Sequence, residues 1–482
     1  MTSLHARHSL VFGVVAATGT HVDAFLDELA RLLAKHAYEP VPIRLTDLLL
    51  EHAVEPGLTW TDEGDRIQKL MDAGDLFRGQ ARRGDAMALL AALGIQEQRR
   101  DRSSARPSAY LIRQLKRPEE ISTLRQIYGD RLFVISLYST YADRLRHLTE
   151  TREIDPDAAK RLMKRDEEDE RKPLGQRTRD TFELGDVFIR VDGPADPSAK
   201  QEAERFLDLI FGNPALSPRV HEHAMYLAYA ASLRSADLSR QVGAALLNEH
   251  GDLIAVGAND VPRPGGGPYR PGAADQRDHA LGYDSNALHK LRIARDVFER
   301  TQPDKKDDLS AFEAFRAALE GSLLLDITEY GRPVHAEMEA LLSCARSGVA
   351  TRDAQLFSTT FPCHNCAKHI VNAGIMEVQY VEAYPKSMAT SLYADAIWEE
   401  NVALGTTPGG RVVFKHYVGI GPRRYLDLFS LTLGSGRRVK RKDKDGKISP
   451  WDRAGAIPRV PSEVSAIEGE RLAIEELQIA MR

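Results

Sequence analysis

The stretches His335-Ala336-Glu337 and Pro362-Cys363-His364-Asn365-Cys366 decide how the second half of this chain folds. His335, Cys363 and Cys366 form the ligand set of a catalytic zinc ion, which takes three protein ligands and keeps a fourth position for water. Glu337 stands two residues after the histidine, where its carboxylate can reach that water without binding the metal. We therefore expect Zn²⁺ at these three residues and acid–base catalysis by Glu337.

The spacing of the two cysteines has a physical reason. Two thiolates three positions apart at the start of a helix can bind one ion, and the helix N-terminus lowers their pKa values. A structural zinc site would need a fourth protein ligand. Cys344 is better placed as a small apolar residue on the buried face of the preceding helix. His364 lies between the two thiolates, where the geometry is poor, so the pattern favours a catalytic site.

Composition sets bounds on the rest of the chain. With 482 residues we expect two or three domains, and 43% hydrophobic and 28% charged residues are typical of a globular protein. The net charge of −5 means that nucleic-acid binding would need a local basic patch. Three cysteines, two of them in the metal site, predict a reducing compartment. The apolar run near the N-terminus is too short to cross a bilayer. We expect a cytoplasmic protein without membrane contact.

The first residues predict a strand, a small-residue turn and a helix. Residues 9–15 form the strand, and an amphipathic helix runs over 22–36. The turn contains Thr18, Gly19 and Thr20, and in this context it is a candidate phosphate loop whose N–H groups meet an anion. Thr20 and His21 stand where the Walker pattern needs Lys and Ser or Thr, which predicts binding without ATP turnover. A tight turn in an ordinary α/β unit fits the same residues.

Further elements extend this first domain. Strands at 109–113 and 131–136, with a helix at 118–128 between them, predict a doubly wound α/β domain over residues 1–195. The charged run at 164–172 is typical of a solvated helix face. The alternative is a lid whose arginines approach phosphates. A Pro/Gly-rich linker follows at 191–197.

The second domain is predicted over residues 200–420. A hairpin of strands 242–247 and 253–256 precedes an insertion at 263–330, which we expect to shape the pocket. The helix beginning near His335, a strand at 354–359, a helix at 363–373 and a strand at 378–383 complete an α/β/α unit. This order places the metal ligands at the N-termini of two helices. Residues 421–482 form a basic C-terminal extension, for which we expect an exposed hairpin or loop, with an RNA or nucleotide contact as the alternative.

These motifs carry a resemblance. Residues 220–395 resemble deoxycytidylate deaminases of the cytidine-deaminase-like fold, whose signature is H-x-E followed by P-C-x-x-C. The matching stretches also include Ser239-Arg240-Gln241-Val242-Gly243-Ala244, Gly257-Ala258-Asn259 and Asn372-Ala373-Gly374-Ile375. With its P-loop kinase-like first domain and the turn Tyr384-Pro385-Lys386-Ser387, the whole chain looks like the bacterial anti-phage dCTP deaminases. That family depletes deoxycytidine nucleotides during phage infection.

The resemblance implies a substrate and roles for named residues. The substrate would be a deoxycytidine nucleotide, dCTP or dCMP, deaminated at C4 of cytosine, with Glu337 moving the protons. Asn259 would contact the sugar or the base, and Arg240, Tyr384 and Lys386 would lie at the substrate. The family's first domain implies a regulatory role, with a nucleotide or a small RNA as ligand. We also expect a homo-oligomer.

Other functions use the same metal motif. A tRNA or nucleic-acid base deaminase would need a basic groove with aromatic residues, which the acidic balance of the chain disfavours. A regulatory or RNA-sensing protein that uses the deaminase fold as a scaffold would not need an intact ligand set plus Glu337. A nucleotide kinase fused to a deaminase is disfavoured by Thr20 and His21.

Overall fold

The structure is a computed structural model, which describes residues 8–52, 58–100, 106–168, 175–272, 274–400, 409–431, 439–442, 447 and 449–460. The strands, in chain order, are β1 (Leu10–Ala16), β2 (Glu39–Arg44), β3 (Ser108–Leu115), β4 (Leu132–Tyr138), β5 (Val187–Arg190), β6 (Gly243–Leu247), β7 (Leu253–Ala258), β8 (Gln355–Thr360), β9 (Glu377–Glu382), β10 (Ile397–Glu399), β11 (Val412–His416) and β12 (Gly419–Ile420). The helices are α1 (Val22–Lys35), α2 (Leu45–His52), α3 (Glu63–Ala81), α4 (Ala86–Arg100), α5 (Pro118–Tyr128), α6 (Tyr141–Arg146), α7 (Pro156–Glu168), α8 (Thr178–Phe182), α9 (Pro197–Ile210), α10 (Val220–Ser232), α11 (Asp278–Leu281), α12 (Ser285–Thr301), α13 (Leu309–Ala318), α14 (Ala336–Ser347), α15 (His364–Asn372), α16 (Ala389–Leu392) and α17 (Tyr425–Phe429).

The chain forms two compact units. Unit 1 consists of Met1–Glu222 and Tyr417–Arg482, and unit 2 of His223–His416. These limits differ from the predicted domain limits at 195–200 and 420–421. The first difference arises because α9 adds buried residues, Phe206 and Leu207 among them, to the core that α1 also forms. The second arises because β12 is hydrogen-bonded to β5 of unit 1, so the described residues after 417 belong to unit 1. Arg437, Arg438 and Lys444 of the predicted basic extension lie outside the described residues.

Unit 1 is built on a six-stranded sheet in the order β12-β5-β4-β1-β3-β2. Strands β1 to β5 are parallel, and β12 pairs antiparallel with β5. Successive residues of the fully buried β1 enter different apolar clusters: Phe12 packs with α1 and α9, and Val11 packs with α2, α4 and α5. Because helices cover both faces of a parallel sheet, the prediction of a doubly wound α/β unit is confirmed.

Unit 2 has a second six-stranded sheet, in the order β10-β11-β9-β8-β6-β7. The predicted hairpin is β6 and β7, and β6 also pairs antiparallel with β8. Strands β8, β9, β11 and β10 are parallel. The apolar core contains residues of this sheet together with α14 and α15, including Leu356, Val378 and Ile370. This mixed sheet agrees with the α/β prediction for the second half.

Helix α14 lies directly against β7. A Cβ atom on Gly257 would stand 2.0 Å from the carbonyl oxygen of Ala336 and 2.6 Å from the backbone nitrogen of Ala340. Glycine is therefore required at this position, because any side chain would meet the backbone of the first turn of α14. The absence of a side chain at Gly257 therefore allows the backbone of α14 to pack directly against β7.

The predicted insertion contains α11, α12, α13 and short helical turns. It has a small apolar cluster of its own, formed by Ala294, Phe298 and Phe312. Among the described residues, no helix combines the length and the apolar character that a membrane crossing requires.

Candidate functional site

The structure brings together His335, Cys363 and Cys366. Their ligand atoms all lie within 4.8 Å of one another, and each sulfur stands 3.3 Å from Nδ1 of His335. In a tetrahedral zinc site with ordinary bond lengths, a sulfur and a nitrogen ligand are about 3.6 Å apart. Two thiolates and one imidazole at these separations therefore fit a zinc ion, with His335 binding through Nδ1.

The two helices explain how residues distant in sequence meet. His335 is the N-cap of α14, and Cys363 is the N-cap of α15, so the second helix begins one residue later than predicted. Cys366 lies in the first turn of α15 and is buried. All three ligands thus sit at the positive ends of two helix dipoles, which stabilise thiolates.

Contacts among the ligands shift their pKa values. The hydrogen bond from Cys366, followed by that with His335, lowers the pKa of Cys363 to about 4. The hydrogen bond with Cys363 raises the pKa of His335 to about 9. The hydrogen bond to Cys363, together with burial, raises the pKa of Cys366 well above its ordinary value. Zinc binds the thiolate and the neutral imidazole, so metal binding displaces protons from this cluster.

Glu337 stands beside the ligands without joining them. It is 4% exposed, and its Oε2 accepts a hydrogen bond of 3.6 Å from the Cys366 sulfur. Burial raises the pKa of this carboxyl. Glu339, two residues further along the helix, is also buried, but its carboxylate pairs with Arg346 at 2.7 Å. The two acids of the first turn are therefore in different surroundings.

The predicted substrate residues Asn259 and Arg240 lie on adjacent segments of unit 2. The Asn259 amide accepts a hydrogen bond from the Val242 N–H (2.7 Å) and donates one to the Arg240 carbonyl (2.8 Å). Asn259 thus holds the segment that carries Arg240, which sequence reasoning did not foresee. These bonds leave one amide N–H and one lone pair of Asn259 for another contact.

Arg240 and Tyr384 are neighbours. The Arg240 guanidinium lies over the Tyr384 ring, 5.4 Å from its centroid, and pairs with Glu382 at 3.0 Å. Lys386 lies in the turn after Tyr384, and the Ser387 hydroxyl of that turn donates to the Pro362 carbonyl at 2.8 Å. Pro362 precedes Cys363, so the 384–387 turn is fastened to the metal motif. The sequence comparison included Ser387 in this turn, but its hydrogen bond to Pro362 was not predicted, because the two residues are distant in sequence.

Asp260 was also missed. It pairs with Val334 in an isolated β-bridge, next to His335, and its carboxylate lies 3.3 Å from Arg277 of the insertion. The insertion is thereby linked to the residue before the first metal ligand. In the sequence, the feature that could have drawn attention to Asp260 is its position directly after Asn259.

The predicted phosphate loop lies between β1 and α1. Gly19 has a φ of +94°, and a Cβ there would stand 2.8 Å from the Arg144 carbonyl oxygen, so the turn needs glycine. The Thr18 N–H donates to Asp166 Oδ2 at 2.8 Å, and Thr20 is buried. An internal carboxylate therefore already uses one of the donors expected to meet a phosphate.

The partner of that carboxylate is Lys116, which follows β3. Its Nζ lies 3.1 Å from Asp166 Oδ1 and 2.9 Å from the Ala16 carbonyl oxygen. Asp166 is 2% exposed, so the prediction of a solvated helix face at 164–172 is wrong at this residue. Lys164 is exposed as predicted, and residues 169–172 lie outside the described residues. The structure places a lysine beside the loop from another strand. No local motif could show this, because Lys116 is distant in sequence from residues 18–20.

Comparison with known proteins concerns mainly unit 2. A family model described as the cytidine and deoxycytidylate deaminase zinc-binding region matches residues 218–382. ComE operon protein 2 of Bacillus subtilis (strain 168) is 41% identical over 81 residues, 17% of this chain and 40% of that protein. The deoxycytidylate deaminase of Enterobacteria phage T4 is 29% identical over 163 residues, 34% of this chain and 78% of that protein.

Two solved structures resemble parts of the chain. The dCMP deaminase from the cyanophage S-TIM5 in apo form has a TM-score of 0.23 and 19% identity, over 42% of this chain and 99% of that one. A shikimate kinase from Bacteroides thetaiotaomicron has a TM-score of 0.26 and 12% identity, over 42% of this chain and 97% of that one.

The matched region includes the candidate metal centre. His335, Glu337, Cys363 and Cys366 all lie within residues 218–382, which the family model describes as zinc-binding. Together with the fit of the three ligands to zinc, this match confirms the prediction of a zinc cofactor. Tyr384 and Lys386 lie just beyond the matched residues.

Proposed function

We propose that this protein catalyses the hydrolytic deamination of deoxycytidine nucleotides, dCTP and dCMP, and that the reaction depends on zinc at unit 2. The observation that carries the proposal is the cluster of His335, Cys363 and Cys366 with the buried carboxyl of Glu337 against it. The match of residues 218–382 to a deaminase zinc-binding region supports the same chemistry.

The bound zinc ion would supply Lewis acidity that lowers the pKa of a water molecule towards neutrality. The protein's own contribution is to hold and move protons. Glu337 would take a proton from the attacking water and deliver it to N3 of cytosine. It would then take the remaining proton from the new C4 hydroxyl group and deliver it to the departing amino group. A C4–O bond forms, the C4–N bond breaks, and the products are a deoxyuridine nucleotide and ammonia.

Several features support a nucleotide as the substrate. Arg240 is 41% exposed at its side chain, although it pairs with Glu382, so it can offer further donors to a phosphate. Its guanidinium and the Tyr384 ring form one stacked surface, and Asn259 fixes the backbone beneath Arg240. In this proposal Arg240 and Lys386 hold phosphate, Tyr384 packs against the nucleoside, and Asn259 positions Arg240 and contacts the sugar or base.

The proposal extends to the biological role implied by the resemblance to anti-phage dCTP deaminases. Depletion of dCTP would limit phage DNA synthesis. Unit 1 would control unit 2 in response to a nucleotide or a small RNA, and several copies of the chain would assemble. The N–H of Thr18 is already hydrogen-bonded to Asp166, so it is not available to a transferred phosphate. This supports a controlling role for unit 1 rather than phosphoryl transfer.

The test is to incubate the full-length protein with dCTP, dCMP, cytidine and a tRNA, and to follow the products by chromatography and the release of ammonia. We expect deoxyuridine nucleotide from dCTP or dCMP. Glu337→Gln should lower turnover by roughly 100- to 10,000-fold while zinc stays bound. Glu339→Gln is the matched control, because Glu339 pairs with Arg346, and it should retain activity.

Two outcomes would contradict the proposal. If the protein deaminates adenosine in tRNA, or cytidine in preference to its nucleotides, the substrate assignment is wrong. If Glu337→Gln retains more than about a tenth of the wild-type turnover, Glu337 does not carry the protons.

A further inference from the structure

Glu382, the last residue of β9, has no role of its own in the proposed function. Its two carboxylate oxygens have different partners. Oε2 accepts a hydrogen bond of 2.7 Å from the Thr360 hydroxyl, and Oε1 lies 3.0 Å from Nη2 of Arg240. One carboxylate therefore connects the end of β8 to the segment that carries Arg240.

The position of Glu382 is fixed by β8. Glu382 lies opposite Thr360 in the parallel pairing of β8 and β9, and the Phe361 N–H donates to its carbonyl oxygen at 2.7 Å. Thr360 is 5% exposed, so its hydroxyl is shielded from water. The strand that holds this carboxylate is the same strand that leads to Cys363.

Arg240 is held in a different way. It lies outside any helix or strand, where its N–H donates to Asp237 Oδ1 at 3.2 Å and its carbonyl oxygen accepts from the Asn259 amide at 2.8 Å. These bonds fix the backbone but do not restrain the side chain, which has several rotatable bonds. Contact with Glu382 and with the Tyr384 ring therefore determines where the guanidinium lies.

A carboxylate beside a phosphate-binding arginine has two opposite effects. It repels the phosphate, because a doubly charged group beyond the guanidinium, on the order of 6 Å away, loses roughly threefold in affinity at physiological salt. It also holds the guanidinium in place before the phosphate arrives, so the entropy of a long side chain is not lost on binding, which is equivalent to roughly tenfold in affinity. Orientation is the larger effect, so Glu382 favours the binding of a phosphate.

We propose that Glu382 and Thr360 are positioning residues that make unit 2 prefer a nucleotide to the corresponding nucleoside. Thr360 fixes the carboxylate of Glu382, Glu382 fixes the guanidinium of Arg240, and Arg240 binds a phosphate group of the nucleotide. A nucleoside lacks this phosphate, so these contacts do not affect its binding. The preference rests on the proposed function, in which Arg240 holds phosphate.

The experiment is calorimetric titration of the full-length, zinc-loaded protein with dUMP, dUTP and deoxyuridine. These compounds are the products of deamination of dCMP, dCTP and deoxycytidine, so their binding is measured without turnover. The tighter of the two nucleotides should bind at least about tenfold more tightly than deoxyuridine, because hydrogen bonds between charged groups are strong.

Two variants separate orientation from charge. Glu382→Gln and Glu382→Leu both lack the carboxylate charge, but the glutamine oxygen can accept from Arg240 while its amide donates to the Thr360 hydroxyl oxygen. Leucine can do neither. Glu382→Leu should therefore bind the nucleotide about tenfold more weakly than Glu382→Gln, and both variants should bind deoxyuridine as the wild type does.

Thr360 offers a second test of the same contacts. Thr360→Val removes the hydroxyl that fixes Glu382 and should weaken nucleotide binding about threefold, which corresponds to the loss of one hydrogen bond. Thr360→Ser keeps a hydroxyl and should bind nucleotide normally. Glu377→Leu is the matched control, because Glu377 lies at the other end of β9 and pairs with Lys415 at 2.6 Å. This control should bind nucleotides and deoxyuridine as the wild type does.

Two results would overturn the inference. One is that neither nucleotide binds more tightly than deoxyuridine. The other is that Glu382→Leu binds the nucleotide as tightly as Glu382→Gln does. The proposed function fails separately. A protein that binds these nucleotides as expected but releases no ammonia from dCTP or dCMP is not a deoxycytidine nucleotide deaminase, although the positioning of Arg240 by Glu382 would stand.

Discussion

Replacing Gly257 by alanine tests whether the close packing of α14 on β7 positions the metal centre. The new Cβ would stand 2.0 Å from the Ala336 carbonyl oxygen, whereas such contacts essentially never fall below 3.0 Å. The helix or the strand must therefore move by at least 1 Å at this point. The obstructing atoms belong to the backbone of α14, next to His335, so no side-chain rotation can relieve the contact.

The magnitude follows from that displacement. A misplacement of about 1 Å at a catalytic group can cost about 100-fold in rate. Overpacking of a core typically costs about 1–3 kcal/mol in the free energy of unfolding. We therefore expect Gly257→Ala to bind zinc more weakly, to deaminate at least about 100-fold more slowly and to unfold several degrees lower.

Zinc analysis, product chromatography and thermal unfolding measure the three effects on one sample. Gly79→Ala is the control, because Gly79 is exposed on α3 and its new methyl group would meet no described atom within 4 Å other than its chain neighbours and the adjacent backbone of α3. Alanine is favoured over glycine by about 1 kcal/mol in a helix, so this variant should be fully active and slightly more stable. Wild-type zinc content, activity and unfolding temperature in Gly257→Ala would refute the positioning argument.

Three other perturbations and one assay of the wild-type protein test separate parts of the molecule. Cys363→Ser should lose most of its zinc by metal analysis, whereas Cys344→Ser, outside the cluster, should keep it. Lys116→Met should lower the free energy of unfolding of unit 1 by about 3–5 kcal/mol, because Asp166 stays buried without its cation, and adding Asp166→Asn should restore part of this loss in denaturant titrations. Burial lowers the pKa of His416 to about 3, so the unfolded chain takes up this proton first and stability falls as the pH drops from 6.5 towards 3. His416→Phe should reduce that slope by up to about 1.4 kcal/mol per pH unit when unfolding is compared at pH 7 and about pH 5.5. The purified protein should hydrolyse no ATP above background, since the Thr18 donor is bound to Asp166.

The elements predicted well are those whose pattern is local. Helix α5 begins at Pro118 and ends at Tyr128, as the sequence predicts, because proline at the first turn and the apolar spacing both act within one helix. The metal ligands were predictable because their chemistry and spacing lie in two short stretches. Strand β2 was not predicted, since Pro40 and Pro42 normally exclude a strand. It survives because it is the edge strand of its sheet, with β3 as its one neighbour.

The parts that could not be predicted depend on residues that meet through the fold. Asp166 lies in a charged run, and charge alone favours solvent exposure. Its burial depends on Lys116 and on the Thr18 N–H, which come from two other segments.

The return of the chain to unit 1 has a consequence for how the protein is made. Strand β5 gains its outer neighbour from β12, and Arg424 donates to the Leu132 carbonyl and lies 3.3 Å from the buried Asp186. A ribosome delivers these residues only after the whole of unit 2 has been synthesised. Until then the sheet of unit 1 has an open edge at β5, and Asp186 lacks Arg424. Unit 1 therefore cannot complete its fold before unit 2 has been translated. Expression of unit 1 by itself therefore requires that residues 1–222 be joined directly to residues 417–482, whereas unit 2 is one continuous stretch of the gene.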